Sequence, residues 1–173
     1  VGLLQPHIFV EFDVSVVLIA NILIGPSGSG KTTLAKTFDP SLWQIVCRDD
    51  IRKEILSKWN KREIIPGELW KLWKFNKPNE KRVTQIYISK AKQAFENGKN
   101  IICADTNLNE KTRLELKSEL TIIGFKCVDV PMVVTLQDCI LWDSKRPDSV
   151  GKTVIKRQFE LYLKYTEKAL HCF

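Results

Sequence analysis

The 173-residue chain predicts an α/β fold: a parallel sheet of four or more strands, helices on both faces, and a C-terminal lid. Three observations predict it. Short apolar runs alternate with amphipathic stretches. The first apolar run leads directly into a complete phosphate-binding loop, Gly25-Pro26-Ser27-Gly28-Ser29-Gly30-Lys31-Thr32-Thr33. A polar stretch marked by Pro147 and Gly151 separates two helical segments near the C-terminus. Together they define a fold built to hold a nucleoside triphosphate on a phosphate-binding loop.

The elements follow in order. Val16 to Ile24, rich in β-branched residues, reads as the first strand, and Thr32 to Phe38 opens a helix after the loop. Trp43 to Cys47 is a second strand, followed by a helix to Trp59 that Asp50 is placed to cap. Pro66, Gly67 and Pro78 mark residues 60–78 as a loop-rich insertion, and Asn79 to Asn97 is helical, closed by Gly98. Asn100 to Ala104 is a third strand. Asn109 caps a helix from Glu110 to Ile123, Gly124 ends it, and Phe125 to Val130 is a fourth strand. A helix from about Val134 to Asp143 leads into a mobile loop, Ser144 to Lys152, and Thr153 caps a last helix ending near Leu170. Strands alternating with helices imply right-handed crossovers, and ligands then bind at the carboxyl ends of the strands. Residues 25–33, 48–52, 105–109 and the segment beyond 130 are therefore where chemistry is expected. Residues 15–173 read as a single domain, with 1–14 an N-terminal extension of no assigned role.

Composition agrees with a soluble globular domain, 44% hydrophobic and 27% charged, and the net charge of +7 favours anionic partners. Cys47, Cys103, Cys127, Cys139 and Cys172 are odd in number and lack close pairs, so neither a zinc site nor a disulfide framework is expected. A reducing, cytoplasmic setting follows. The apolar run Val16 to Ile24 is too short to span a bilayer, so no membrane role is expected.

The loop carries chemistry because phosphate oxygens need many donors converging on a small space. Gly25, Gly28 and Gly30 free the backbone, the following helix turns its N-terminal N–H groups towards the anion, and Ser27, Ser29 and Thr33 are expected to belong to the same binding site. Lys31 reaches the phosphates and Thr32 can place its hydroxyl on a magnesium ion. After the second strand stands Arg48-Asp49-Asp50-Ile51-Arg52. A carboxylate there can orient and deprotonate an acceptor hydroxyl, with Asp49 nearer the strand tip, and Arg52 can grip a substrate phosphate. Asp105 ends the third strand, where an aspartate can support magnesium; it and Asn107 lie on the cleft side. On the lid, Lys145 and Arg146 can neutralise charge on a transferring phosphoryl group. From Lys58 to Arg82, eight basic and three acidic residues interleave with Trp59, Trp70, Trp73 and Phe75. That mixture suits single-stranded nucleic acid, yet the three-residue spacing of Trp70 and Trp73 equally suits a helix face packed on the core.

Gly25 to Thr33, Arg48 to Arg52, Ala104-Asp105-Thr106-Asn107-Leu108-Asn109, Asp129-Val130-Pro131 and Ser144-Lys145-Arg146 together resemble the kinase domain of bacteriophage polynucleotide 5'-hydroxyl kinases over roughly residues 16–170. The resemblance implies a phosphate-loop NTPase/kinase fold and transfer of the γ-phosphate of ATP to the 5'-hydroxyl of a DNA or RNA end, with magnesium; no protein partner is expected. It implies that Asp49 is the general base and that Lys31 and Thr32 serve the phosphates and metal. Arg52 would grip the phosphate 3' to the acceptor nucleotide, Asp105 would hold the substrate side by orienting Arg52, and Arg146 would contact the transferring phosphate. One departure concerns the lid: Trp142 stands where the family carries an arginine four residues before Arg146. A kinase for a small metabolite or nucleoside, and an ATP-binding module without catalysis, are the competing readings.

Overall fold

A computed structural model describes residues 16–170; the extension at residues 1–14 and the last three residues lie outside the described part. The chain runs β1 (Ile19–Ile24), α1 (Lys31–Ala35), β2 (Trp43–Val46), α2 (Arg48–Asn60), α3 (Leu69–Leu72), α4 (Lys77–Glu96), β3 (Asn100–Cys103), α5 (Glu110–Ile123), β4 (Lys126–Pro131), α6 (Leu136–Ser144) and α7 (Lys152–Leu170). The strands form one parallel sheet in the order β2-β3-β1-β4. Ala20 pairs with Ile101 on one side of β1 and with Cys127 on the other, so β1 is central.

Alternation along the strands divides the core between two faces. Ala20, Ile22 and Ile24 of β1, with Ile101 and Cys103 of β3, meet Ile51, Ile55 and Leu56 of α2, Val83, Tyr87 and Ala91 of α4, Leu120 of α5 and Tyr162 of α7. Leu23 and Ile102 point the other way, onto Ala35 of α1 with Leu34, Phe38 and Val130 alongside. A fully buried side chain of this size contributes about 2 kcal/mol, so β1 and β3 are the least replaceable part of the sheet. The parallel sheet of four strands with helices on both faces is thus observed.

Several boundaries differ from expectation, each for a local reason. Helix α2 begins at Arg48, so Asp49 and Asp50 occupy its first turn and favour it through the helix dipole, and Asp50 does not cap it. Pro78 belongs to α4: Asn76 caps that helix by accepting from Asn79 N at 2.9 Å, and proline is tolerated in a first turn, where its missing N–H is not needed. The insertion contains the single turn α3. Thr135 caps α6 by accepting from Asp138 N, and Thr153 lies inside the first turn of α7. Asn109 caps α5, as expected, accepting from Thr112 N at 3.0 Å. Gly124 ends α5 at φ 122°, and a Cβ there would stand 2.5 Å from the ring of Phe95, which packs edge-on against Phe125.

Candidate active site

The loop leaves β1 at Ile24 and enters α1 at Lys31. Gly28 and Gly30 take left-handed φ values of 76° and 84°, and Leu34 N donates to Gly30 O at 2.9 Å to start the helix. Gly28 is required on a second count: a Cβ would lie 2.2 Å from the backbone oxygen of Cys139, so α6 sits directly against the loop. Lys31 is buried. Its Nζ donates to Gly25 O at 2.9 Å, Pro26 O at 2.6 Å and Ser29 Oγ at 3.1 Å. Burial lowers its pKa to about 8, against the opposing pull of Asp105. A buried cation behind a glycine-rich loop that lines an open cleft fits a polyphosphate, whose charge would restore the proton affinity that burial removes.

The loop forms one wall of a cleft of about 720 Å³ at the carboxyl ends of the strands. Ser27 to Thr33, Asp49, Arg52, Asp105, Trp142 and Arg146 all line it. Opposite the loop, the first turn of α2 places Asp49 Oδ1 2.7 Å from Arg52 Nη1. Glu80 of α4 holds the other edge of the same guanidinium, accepting from Nη2 at 2.7 Å and Nε at 3.3 Å, and it takes Trp73 Nε1 at 2.9 Å as well. The ring of Phe75 lies 5.3 Å from the guanidinium carbon. Burial works against the charge on Arg52, but Glu80 and Asp49 outweigh it and raise its pKa further; likewise burial of Glu80 is outweighed by Arg52 and Trp73, which lower its pKa.

Asp105 does not orient Arg52, contrary to the resemblance; Glu80 and Asp49 do. Asp105 Oδ1 instead accepts Arg48 N at 2.8 Å, tying β3 to the start of α2, while Oδ2 is buried with no hydrogen-bond partner among the described residues. Burial raises this carboxyl to about 6, the Arg48 N–H partly offsetting it. Asn107 and Gly25 do not line the cleft. Asn107, at φ 50°, spends its amide on Leu23 O, Cys103 O and Asp105 O at 2.8, 3.2 and 3.1 Å, and so pins the ends of β1 and β3. Gly25 N donates to Thr106 O at 3.1 Å.

The segment expected to be a mobile loop is tied on two sides. The buried carboxylate of Asp143 accepts Ser149 Oγ at 2.6 Å, Val150 N at 3.1 Å and Gly151 N at 3.2 Å, so the loop is wrapped around it. Asp148 reaches across to the insertion, accepting Gly67 N at 2.9 Å and pairing with Lys53 Nζ at 2.9 Å; Trp70 Nε1 donates to its carbonyl at 3.0 Å. Arg146 stands 3.7 Å from Asp143 and faces the cleft, with the half-exposed ring of Trp142 beside it. The aromatic residues of the insertion divide: Trp73 is 4% exposed and stacked on Trp59, a packing role, whereas Trp70 and Phe75 line the cleft. Sequence reasoning had passed over Glu80, Asp148 and Gln158. Only Glu80 carried a signal, an acid in the first turn of a helix, and that signal points to the dipole rather than to Arg52.

A loop between a buried strand and a helix, opening onto a cleft at the carboxyl edge of a parallel sheet, defines a phosphate-loop protein with a kinase-type α/β fold. The AAA domain family matches residues 21–169, and the chain belongs to that family. A protein of Autographa californica nuclear polyhedrosis virus, whose name is that of a bifunctional polynucleotide kinase/RNA ligase, is 27% identical over 152 residues, covering 83% of this chain and 20% of that protein. The chain therefore spans about a fifth of this relative's length. Two structures of a Pnkp1/Rnl/Hen1 complex, one described as an RNA repair complex, superpose with TM-scores of 0.67 and 0.55 at 20% and 19% identity, over 91% and 75% of this chain and 48% and 41% of theirs. The crystal structure of APE1195 superposes at 0.53 with 18% identity, over 75% of this chain and 70% of its own. At these identities the structures speak for the fold. The fold implied by the motif resemblance is the fold they share. No helix among the described residues is long and apolar enough to cross a membrane.

Proposed function

We propose that this chain is the kinase domain of a polynucleotide 5'-hydroxyl kinase, using ATP and magnesium to phosphorylate a DNA or RNA end. The observation that carries the reading is the pairing of Asp49 with Arg52 across the cleft from the phosphate loop. One helical turn thereby offers a proton acceptor beside a cation suited to a phosphodiester. Lys31 and the loop amides hold the donor polyphosphate, and Thr32 offers its hydroxyl to magnesium, whose chemistry is to neutralise charge on the phosphates. Asp49 orients the 5'-hydroxyl and takes its proton as the new oxygen–phosphorus bond forms and the bond to the leaving ADP breaks. Arg52 holds the acceptor phosphate, which first displaces part of its contact with Asp49 and so frees that carboxylate for the hydroxyl. Asp105, by accepting Arg48 N, holds the start of α2, which carries Asp49 and Arg52, on the substrate side. Arg146 meets the transferring group from the lid.

The test is transfer of the γ-phosphate of ATP to a 5'-hydroxyl oligonucleotide, run beside a 3'-nucleotide and a free nucleoside. Transfer to the first two, lost in Asp49→Asn and weakened in Arg52→Ala chiefly through KM, is expected. Equal use of the bare nucleoside would favour a small-molecule kinase, and ATP binding without transfer to any acceptor would leave a binding module.

A further inference from the structure

Gln158 belongs to no motif, yet it is the residue that reaches the phosphate loop from furthest along the chain. Its side-chain oxygen accepts the backbone N–H of Ser27 at 2.7 Å, 131 positions away. It sits on the inward face of α7, three residues after the buried Ile155 and four before the buried Tyr162, whose hydroxyl donates to Met132 O and anchors the helix beside β4. A polar residue on that face, half-buried and lining the same cleft as Lys31 and Arg146, needs a reason, since leucine or methionine would fill the volume at no desolvation cost.

The two ends of its amide differ. The oxygen is fixed by the Ser27 N–H, which turns the NH2 group to the other side, and that group has no protein partner among the described residues. A neutral donor held at one end by the loop backbone adds direction to a site whose charge Lys31 and Arg146 already supply. We propose that Gln158 is a binding residue of the donor site, donating its side-chain N–H to a phosphate oxygen of the bound polyphosphate while its oxygen keeps the loop amide. The inference rests on the donor role of the loop proposed above.

Gln158→Glu is the discriminating variant, because it preserves size and the acceptor for Ser27 N–H but turns a carboxylate oxygen towards the phosphates. Inorganic tripolyphosphate and ATP serve as probes in calorimetric titrations of the full chain. A hydrogen bond to a charged group is worth about tenfold or more in affinity. Gln158→Leu is therefore expected to bind both probes about tenfold more weakly, and Gln158→Glu more weakly still. The ratio of Gln158→Glu to wild-type affinity should recover as pH falls and the carboxylate protonates, a response that a packing role would not give. The thermal midpoint of the ligand-free chain should be unchanged in Gln158→Glu. Wild-type affinity in Gln158→Glu, or an equal loss in both variants that ignores pH, overturns the proposal while leaving the donor role intact. A wild-type chain that binds neither probe overturns the donor role and this inference with it.

Discussion

Glu80 is the residue whose removal most directly tests how the acceptor side of the cleft is built. It takes Arg52 Nη2 at 2.7 Å, Arg52 Nε at 3.3 Å and Trp73 Nε1 at 2.9 Å. Hydrogen bonds to charged groups contribute about 1.5–3 kcal/mol and a neutral one about 1 kcal/mol. Two facts move the total to the low end: the Glu80 side chain is 31% exposed, so water replaces part of what is lost, and Arg52 retains Asp49 at 2.7 Å. Glu80→Ala should therefore cost about 2 kcal/mol, and Glu80→Gln, which keeps an acceptor and the shape, about 1 kcal/mol. The functional consequence is larger than the structural one. Without Glu80 the guanidinium leans on Asp49 alone, which holds the proton acceptor away from a hydroxyl and leaves Arg52 poorly aimed. A loss of about tenfold in kcat/KM for a 5'-hydroxyl oligonucleotide, carried mostly by KM, is expected from about 1.4 kcal/mol of misplaced contact. Urea unfolding with an unchanged m-value and steady-state transfer kinetics measure the two effects. A Glu80→Ala chain within about 0.5 kcal/mol of wild type, with KM unmoved, would show that Asp49 alone positions Arg52 and would refute the account.

Four further outcomes follow from the same geometry. Gly28→Ala combines a left-handed backbone with a Cβ 2.2 Å from Cys139 O and should cost about 3 kcal/mol in urea unfolding; a loss under about 1 kcal/mol would mean that α6 does not rest on the loop. Asp105, raised from 3.8 to about 6 by burial, holds its proton more tightly folded than unfolded, so stability should fall as pH rises from about 4 to about 6. Because the residue as a whole is part-exposed although Oδ2 is buried, the fall is about 1–2 kcal/mol, and Asp105→Asn should flatten it in a pH series of unfolding curves. Lys31, lowered from 10.5 to about 8 by burial, has the opposite sign: the unfolded chain holds more protons between those values, stability should rise across that window, and Lys31→Met should abolish the rise. Asp148→Ala removes the acceptor for Gly67 N and the partner of Lys53, and should cost about 2 kcal/mol and speed hydrogen exchange at Gly67; unchanged exchange would refute the tie between lid and insertion.

What was legible in the sequence is whatever depends on short range. The loop, the parallel sheet and the caps at Asn109 and Gly124 each follow from residues within a few positions of one another, and they stand where expected. Boundaries slipped where two local signals competed: Pro78 reads as a breaker until Asn76 is seen to cap the helix that Pro78 enters, and Asp50 reads as a cap until the helix proves to start three residues earlier, at Arg48. The cleft was legible only by halves. Asp49, Arg52 and Asp105, read as candidates because they stand at strand ends, do line one cleft, but the partners of Arg52 were not legible, since Glu80 lies 28 positions away and no pattern links them. Asn107 shows the reverse failure. It stands in the right place in the chain, but its left-handed backbone turns the amide onto three strand-end carbonyls and away from the cleft.

The lid is the part whose physics differs most from what its composition suggested. A polar stretch with Pro147 and Gly151 invites the picture of a loop that swings over the donor. Here a swing would break the Asp148 contacts to Gly67 and Lys53 and the Trp70 bond to the Asp148 carbonyl, while Asp143 would still hold residues 149–151 in one wrapped unit. At about 1 kcal/mol for the neutral Trp70 bond and somewhat more for each of the two to the carboxylate, that motion costs about 3–4 kcal/mol before any new contact forms. Rotation of the Arg146 side chain costs far less, because its tie to Asp143 is long, at 3.7 Å, and its guanidinium is already at the cleft. On the proposed function, donor binding is therefore expected to be met by a side-chain movement on a fixed platform. The platform is shared: the same Asp148 that holds the lid also holds the insertion carrying Trp70 and Phe75. Loosening it must therefore disturb the acceptor wall together with the donor wall, and Asp148→Ala should raise KM for ATP and for the oligonucleotide alike. A rise confined to ATP would mean that the two walls are independent.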